Sequence, residues 1–215
     1  MGRTRSWSLE DYQGQRLMIR ELHLEITRRC LLQCPKCPRT YTSGYKISDM
    51  STEHFEELVK VLKPKTLNFC GNLGDPIFHK QLDKFVKFGA EQGCDFFMST
   101  AGVGKDLKWW ESFYNSYTKG KIYFGLDGLE DTAHRYRVGT DWHNVFDAMK
   151  LGASMGKNVV WQWIPFSFNE HQITQAKQLA KQYNITFALR ISSRFDGPND
   201  PLRPTLKEYQ LGYNS

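Results

Sequence analysis

Apolar and polar positions alternate along this chain in two periods, and the periods take turns. Leu22, Leu24 and Ile26 are interleaved with His23, Glu25 and Thr27, the period of two that predicts a strand with one buried face. A polar loop follows. Ser51 then stands where an N-cap belongs, and Phe55, Leu58, Val59 and Leu62 recur at helical spacing until Pro64 stops them. The same grammar repeats: a strand at Leu67 to Cys70, a helix with Leu82, Phe85 and Val86 ending at Gly93, a strand at Phe96 to Ser99, and a helix with Leu107, Trp110, Phe113 and Tyr117. A strand at Ile122 to Leu126 precedes a helix from near Asp141 that carries Trp142, Val145, Phe146, Met149 and Ala153, and Val159 to Ile164 is strand again. Asn169 with Gln172 three residues on predicts a capping box opening a helix with Ile173, Ala176 and Ala180, and a last strand runs from about Ile185 to Ile191.

Strands that alternate with helices at this pitch predict an α/β fold with a parallel sheet. A closed eight-stranded barrel needs about 250 residues; six units within 215 residues predict a partial (β/α)6 TIM-like barrel, an open parallel sheet. The expected organisation is an N-terminal extension over 1–20, a core over 21–191, and a tail over 192–215 that is rich in Pro, Gly, Asn and Asp and reads as a surface extension. No apolar run approaches the roughly 20 residues of a membrane span. The amino end begins with positive charge, but Glu10, Asp11 and Gln13 stand where the apolar core of a signal peptide would be, so a cytoplasmic location is expected. The net charge of +6 suits an anionic partner but is spread without blocks, so nucleic acid is not indicated.

The five cysteines change the picture. Cys30, Cys34 and Cys37 form C-x3-C-x2-C directly after the first strand, at the carboxyl edge where parallel α/β sheets keep their sites. Three thiolates so close in sequence can converge on one inorganic centre. A structural zinc site usually takes four protein ligands, and the nearest further candidate on the carboxyl side is His54. A [4Fe-4S] cluster held by three thiolates leaves one iron open. Both readings stand at this level: a cluster enzyme, or a non-catalytic zinc- or cluster-binding module with a structural or nucleic-acid-binding role. Cys70 and Cys94, within or beside apolar strands, read as core residues.

The run Cys30 to Arg39, CLLQCPKCPR, resembles the radical S-adenosylmethionine enzymes, and within them the branch that carries SPASM or twitch extensions; the resemblance spans about Leu22 to Ile191. It implies a [4Fe-4S] cluster on Cys30, Cys34 and Cys37 whose open iron chelates the methionyl amine and carboxylate of S-adenosylmethionine. One electron then breaks a carbon-sulfur bond, and the 5′-deoxyadenosyl radical abstracts a substrate hydrogen. It also implies an oxidoreductase or transferase, an electron donor such as flavodoxin or ferredoxin, and a peptide or other bulky substrate. Further segments carry the likeness. Gly74-Asp75-Pro76, within Cys70 to Pro76, resembles the Gly-Gly-Glu-Pro motif that holds the methionyl ammonium; small residues let a backbone approach a ligand and a carboxylate accepts from an ammonium. Gly125-Leu126-Asp127-Gly128 is similar to the family's Ser-x-Asp-Gly, with Gly125 in the place of Ser, and implies that Asp127 lies near the cofactor. Arg137-Val138-Gly139 resembles an Arg-x-Gly segment whose arginine pairs with the cofactor carboxylate. Gln162, between two tryptophans, is a polar group able to face the lumen near the ribose. Lys36 stands where relatives often place an aromatic residue against adenine. The cysteine-rich extension of that branch has no counterpart, so a single cluster is expected.

Overall fold

The computed structural model describes residues 19–117 and 119–210; residues 1–18, most of the expected N-terminal extension, and 211–215 lie outside the described residues. In chain order the elements are β1 (Glu21–Leu24), α1 (Pro38–Tyr41), α2 (Thr52–Leu62), β2 (Thr66–Phe69), α3 (Leu82–Glu91), β3 (Asp95–Thr100), α4 (Leu107–Ser116), β4 (Gly120–Gly125), α5 (Ala133–Tyr136), α6 (Trp142–Ser154), β5 (Val159–Trp163), α7 (Ile173–Gln182) and β6 (Thr186–Leu189). Short 3-10 turns occupy Pro76–Phe78, Glu170–Gln172 and Lys207–Tyr209. The six strands form one parallel sheet in the order β1-β2-β3-β4-β5-β6. Every crossover advances by one place, as in a TIM barrel, and among the described residues β1 and β6 are the edges. This is the open partial barrel that the alternation predicts.

The helices start where the side chains can cap them. Ser51 Oγ accepts from the His54 amide, Asp106 from that of Trp109 and Asp141 from that of Asn144. Lys63, in the left-handed region at φ 44°, ends α2 just before Pro64.

The sheet has two unlike faces. On β3, Phe96, Met98 and Thr100 are buried toward the helices while Asp95, Phe97 and Ser99 are half-exposed on the other face. The helix side is aromatic: Phe55 stacks on Phe85 with centroids 4.0 Å apart, and Trp110, Trp161 and Trp163 are wholly buried. Those tryptophans therefore belong to the core, and the polar face is left to the site. Cys94 is buried with its thiol donating to the Pro64 carbonyl at 3.2 Å, whereas Cys70 is half-buried.

Two local expectations change. Asn169 and Gln172 do not form a capping box, and α7 begins at Ile173 without a side-chain cap. Asn169 Nδ2 instead donates to the carbonyls of Asp127 and Ile164, each at 3.0 Å, and Gln172 Oε1 accepts from the Leu129 amide and the Thr132 hydroxyl. Both side chains are spent on bracing the loop after β4. The segment after β6 is also more than a surface extension: Ser167 donates from its hydroxyl to the Pro201 carbonyl at 2.6 Å, and Thr205 donates from its amide to Glu170 at 2.9 Å. No helix among the described residues is long and apolar enough to cross a membrane.

Candidate active site

The cysteine loop leaves β1 at the carboxyl edge and is folded by its own residues. Arg39 donates to the carbonyl of Cys30 at 2.9 Å and to that of Leu32, drawing the loop around the guanidinium. The Cys37 amide donates to the Cys34 carbonyl, and Cys37 is itself the N-cap of α1. The three thiols line one cavity of about 360 Å³. Burial pushes the thiols of Cys30 and Cys34 up, the latter to about 11, although Arg137 pulls Cys34 the other way. The charge of Cys37 raises both, and Cys30 also raises Cys34.

A second loop meets the first. Gly71 to Asp75 line the same cavity, and the two loops are stitched by their backbones: Asp75 donates from its amide to the Arg29 carbonyl at 2.7 Å. Gly74 lies so close to the segment after β1 that a Cβ there would be 2.0 Å from the Thr27 carbonyl oxygen, so only glycine fits. Glu25 Oε1 accepts from the amides of Leu73 and Gly74, the latter at 3.1 Å, and the Tyr45 hydroxyl donates to the carbonyls of Arg28 and Leu73. Asp75 is buried at 4% exposure, and its carboxylate accepts from the Ile77 amide (3.3 Å), the Thr100 hydroxyl (3.0 Å) and the Ala101 amide (2.7 Å). Of the roughly four lone-pair positions of a carboxylate, one is left. Burial raises the Asp75 pKa, against the pull of those donors and of Arg137.

The opposite wall comes from β4 and β5. Arg137 lines the cavity and donates from Nε to Asp127 Oδ2 at 2.6 Å, and Asp127 Oδ1 accepts from the Ile164 amide at 2.7 Å. Asp127 is wholly buried behind Arg137 and does not itself line the cavity. Burial raises its pKa, and the guanidinium opposes that rise. At Gly125 a Cβ would lie 2.4 Å from Arg137 Nη2, so a serine side chain there would have to share its space with the guanidinium. Gln162 is paired in register with Gly125 and lines the cavity beside Tyr123 and Ile164. The remaining wall is Ile191 to Arg194, from the segment after β6.

The structure thus brings Cys30, Cys34, Cys37, Gly74, Asp75, Arg137 and Gln162 to one cavity and places Asp127 behind it. Glu25, Tyr45 and the segment after β6 escape a reading of the sequence. Of these, only Glu25 left a trace there, as a carboxylate on the polar face of a strand five residues before Cys30. The donor set suits a polynuclear iron centre, whose irons each take one thiolate. Among the described residues no three His, Cys, Asp or Glu side chains converge as the ligands of a single metal ion would.

No family model matches the sequence. The fold is that of solved radical S-adenosylmethionine enzymes. SuiB from Streptococcus suis superposes with a TM-score of 0.70 at 14% identity over 88% of this chain and 43% of its own. The enzyme anSMEcpe, solved with AdoMet and the Cp18Cys peptide, does so with 0.61 at 16% identity over 85% of this chain and 55% of its own. Methylornithine synthase gives 0.61 at 13% over 89% and 58%. SuiB has also been solved with its precursor peptide SuiA and with S-adenosylmethionine. The chain spans less than two thirds of the length of each of these.

Proposed function

We propose that this chain is a radical S-adenosylmethionine enzyme: Cys30, Cys34 and Cys37 hold a [4Fe-4S] cluster and the adjoining cavity holds S-adenosylmethionine. One observation carries the reading. Three half-buried thiols of a single loop share a cavity wall with a carboxylate and face a guanidinium, at the carboxyl edge of an open six-stranded parallel sheet. When bound, the cluster and cofactor would supply one-electron cleavage of a carbon-sulfur bond and a radical able to take a substrate hydrogen.

The chain's own groups do the rest. Arg39 engages the carbonyls of Cys30 and Leu32 and so fixes the shape of the loop that carries the thiols. Asp75, with one acceptor position to spare, takes the methionyl ammonium, and Gly74 lets the backbone approach it. Arg137 takes the methionyl carboxylate while Asp127 fixes its orientation. Gln162 offers an amide to the ribose from the polar face of β5. The core over 21–191 carries all of these residues. Of known substrates, peptides fit best, because SuiB and anSMEcpe were both solved with one and the sheet here is open between β1 and β6. A flavodoxin or ferredoxin is the natural electron donor.

The zinc-module alternative finds less support, since zinc in a structural site usually takes four ligands on one ion. The test is anaerobic reconstitution with iron and sulfide, reduction, and mass spectrometry for 5′-deoxyadenosine and methionine after adding S-adenosylmethionine. Their appearance supports the reading; their absence from protein with a full complement of iron contradicts turnover.

A further inference from the structure

Lys36, the residue before the third cysteine, is tied to the segment after β6. Lys36 Nζ pairs with Asp200 at 2.8 Å and with Asp196, across 160 residues or more of sequence. The side chains of Lys36 and Asp200 are 13% and 1% exposed whereas that of Asp196 is 81% exposed, so the contact with Asp200 is the shielded one. Asp200 is held rigidly: its carboxylate also accepts from the amides of Asp196 and Leu202, at 2.8 and 2.9 Å. The segment after β6 is fastened again to the loop after β5, through Leu202, whose carbonyl accepts from the Ser167 amide at 3.2 Å. Between β6 and these fastenings the chain has one path, and Ile191 to Arg194 follow it along the cavity.

We propose that Lys36 is a positioning residue: by clasping Asp200 and Asp196 it seats Ile191 to Arg194 as a wall of the cofactor cavity. This rests on the function proposed above. A lysine here does not cover the cofactor with its own side chain. It reaches past the cysteine loop and brings a remote segment to do so, which makes the tail part of the site. A shielded pair is little screened by salt, and removing one partner strands the other's charge, which is what makes the contact costly to break.

The experiment compares Lys36→Met, Lys36→Arg and Asp200→Asn with the wild type, all reconstituted, by iron content, by trypsin cleavage after Arg194, and by equilibrium dialysis of S-adenosylmethionine. Lys36→Met and Asp200→Asn are expected to keep their iron, to be cut in the tail at least about tenfold faster, and to bind S-adenosylmethionine about tenfold more weakly, the loss of one charge-assisted contact. Lys36→Arg restores protection and affinity. A tail as protected as the wild type, an affinity unchanged while the tail is cut, or loss of iron in Asp200→Asn would each overturn the proposal. Wild-type protein that takes up iron but no S-adenosylmethionine would instead overturn the function on which it rests.

Discussion

Two buried aspartates support the two halves of the cavity, and they are satisfied in opposite ways. Asp75, on the β1-β2 side, is held by two amides and a hydroxyl, all neutral, so its charge is not cancelled by contact. Asp127, on the β4-β5 side, is held by an amide and the Arg137 guanidinium, so its charge is cancelled and the cation's free edge is what the cavity meets. Burial raises both pKa values, yet only one of the two sites has spent its charge internally. The difference teaches how one cavity can present an acceptor on one wall and a cation on the other. On the proposed function these walls match the two ends of a zwitterionic amino-acid group.

The comparison breaks most visibly at Arg137. Arg137→Met leaves Asp127 buried without its cation, which costs about 3–5 kcal/mol; urea unfolding should register that loss. Arg137→Met combined with Asp127→Leu should recover most of it, because an apolar pair carries no stranded charge.

On the other side, Asp75→Ala should weaken S-adenosylmethionine binding by roughly ten- to a hundredfold, the worth of about 1.5–3 kcal/mol in a charge-assisted hydrogen bond. Iron content should stay at the wild-type level. Asp75 also caps the turn at Pro76–Phe78, so calorimetry should show a stability loss as well.

A smaller effect is expected at Glu25. Glu25→Ala removes the acceptor of the Leu73 and Gly74 amides, and each donor left without a partner costs about 1–3 kcal/mol only if it stays dry. These amides are at the cavity rim, so the low end is expected, read as faster hydrogen exchange at residues 73 and 74.

How much of this was legible beforehand depends on the range of the contact. Strands and helices could be read because one-sided burial writes itself into the chain at periods of 2 and 3.6, and the cysteine spacing is local. The capping box at Asn169 failed because the side chains that suit a cap found the loop after β4 instead, 42 residues away for Asn169 with Asp127. Gly125 stood in the sequence as a glycine in place of a serine, and that Arg137 fills the space beside it is visible only in the fold. The role of the tail was invisible for the same reason: Lys36 and Asp200 carry no local pattern that announces their pairing.

The clasp gives the smallest expected effect. Burial opposes ionisation of Asp200, but Lys36 and two amides outweigh it and hold the carboxyl at about 2. A folded pKa below the unfolded value of about 3.9 stabilises above that value and is lost as pH falls through the folded one. Hydrogen exchange across 194–203, corrected for intrinsic rates, should therefore show constant protection from pH 8 to 5 and decline only below about pH 4.

The most direct test is electron paramagnetic resonance of the reduced, reconstituted protein with and without S-adenosylmethionine. About four irons per chain and a spectrum that changes when S-adenosylmethionine is added are the predicted result, since on the proposed function three cysteine ligands would leave one iron open. A spectrum that stays the same in protein with its full iron would contradict the open site and the two-walled cavity built around it.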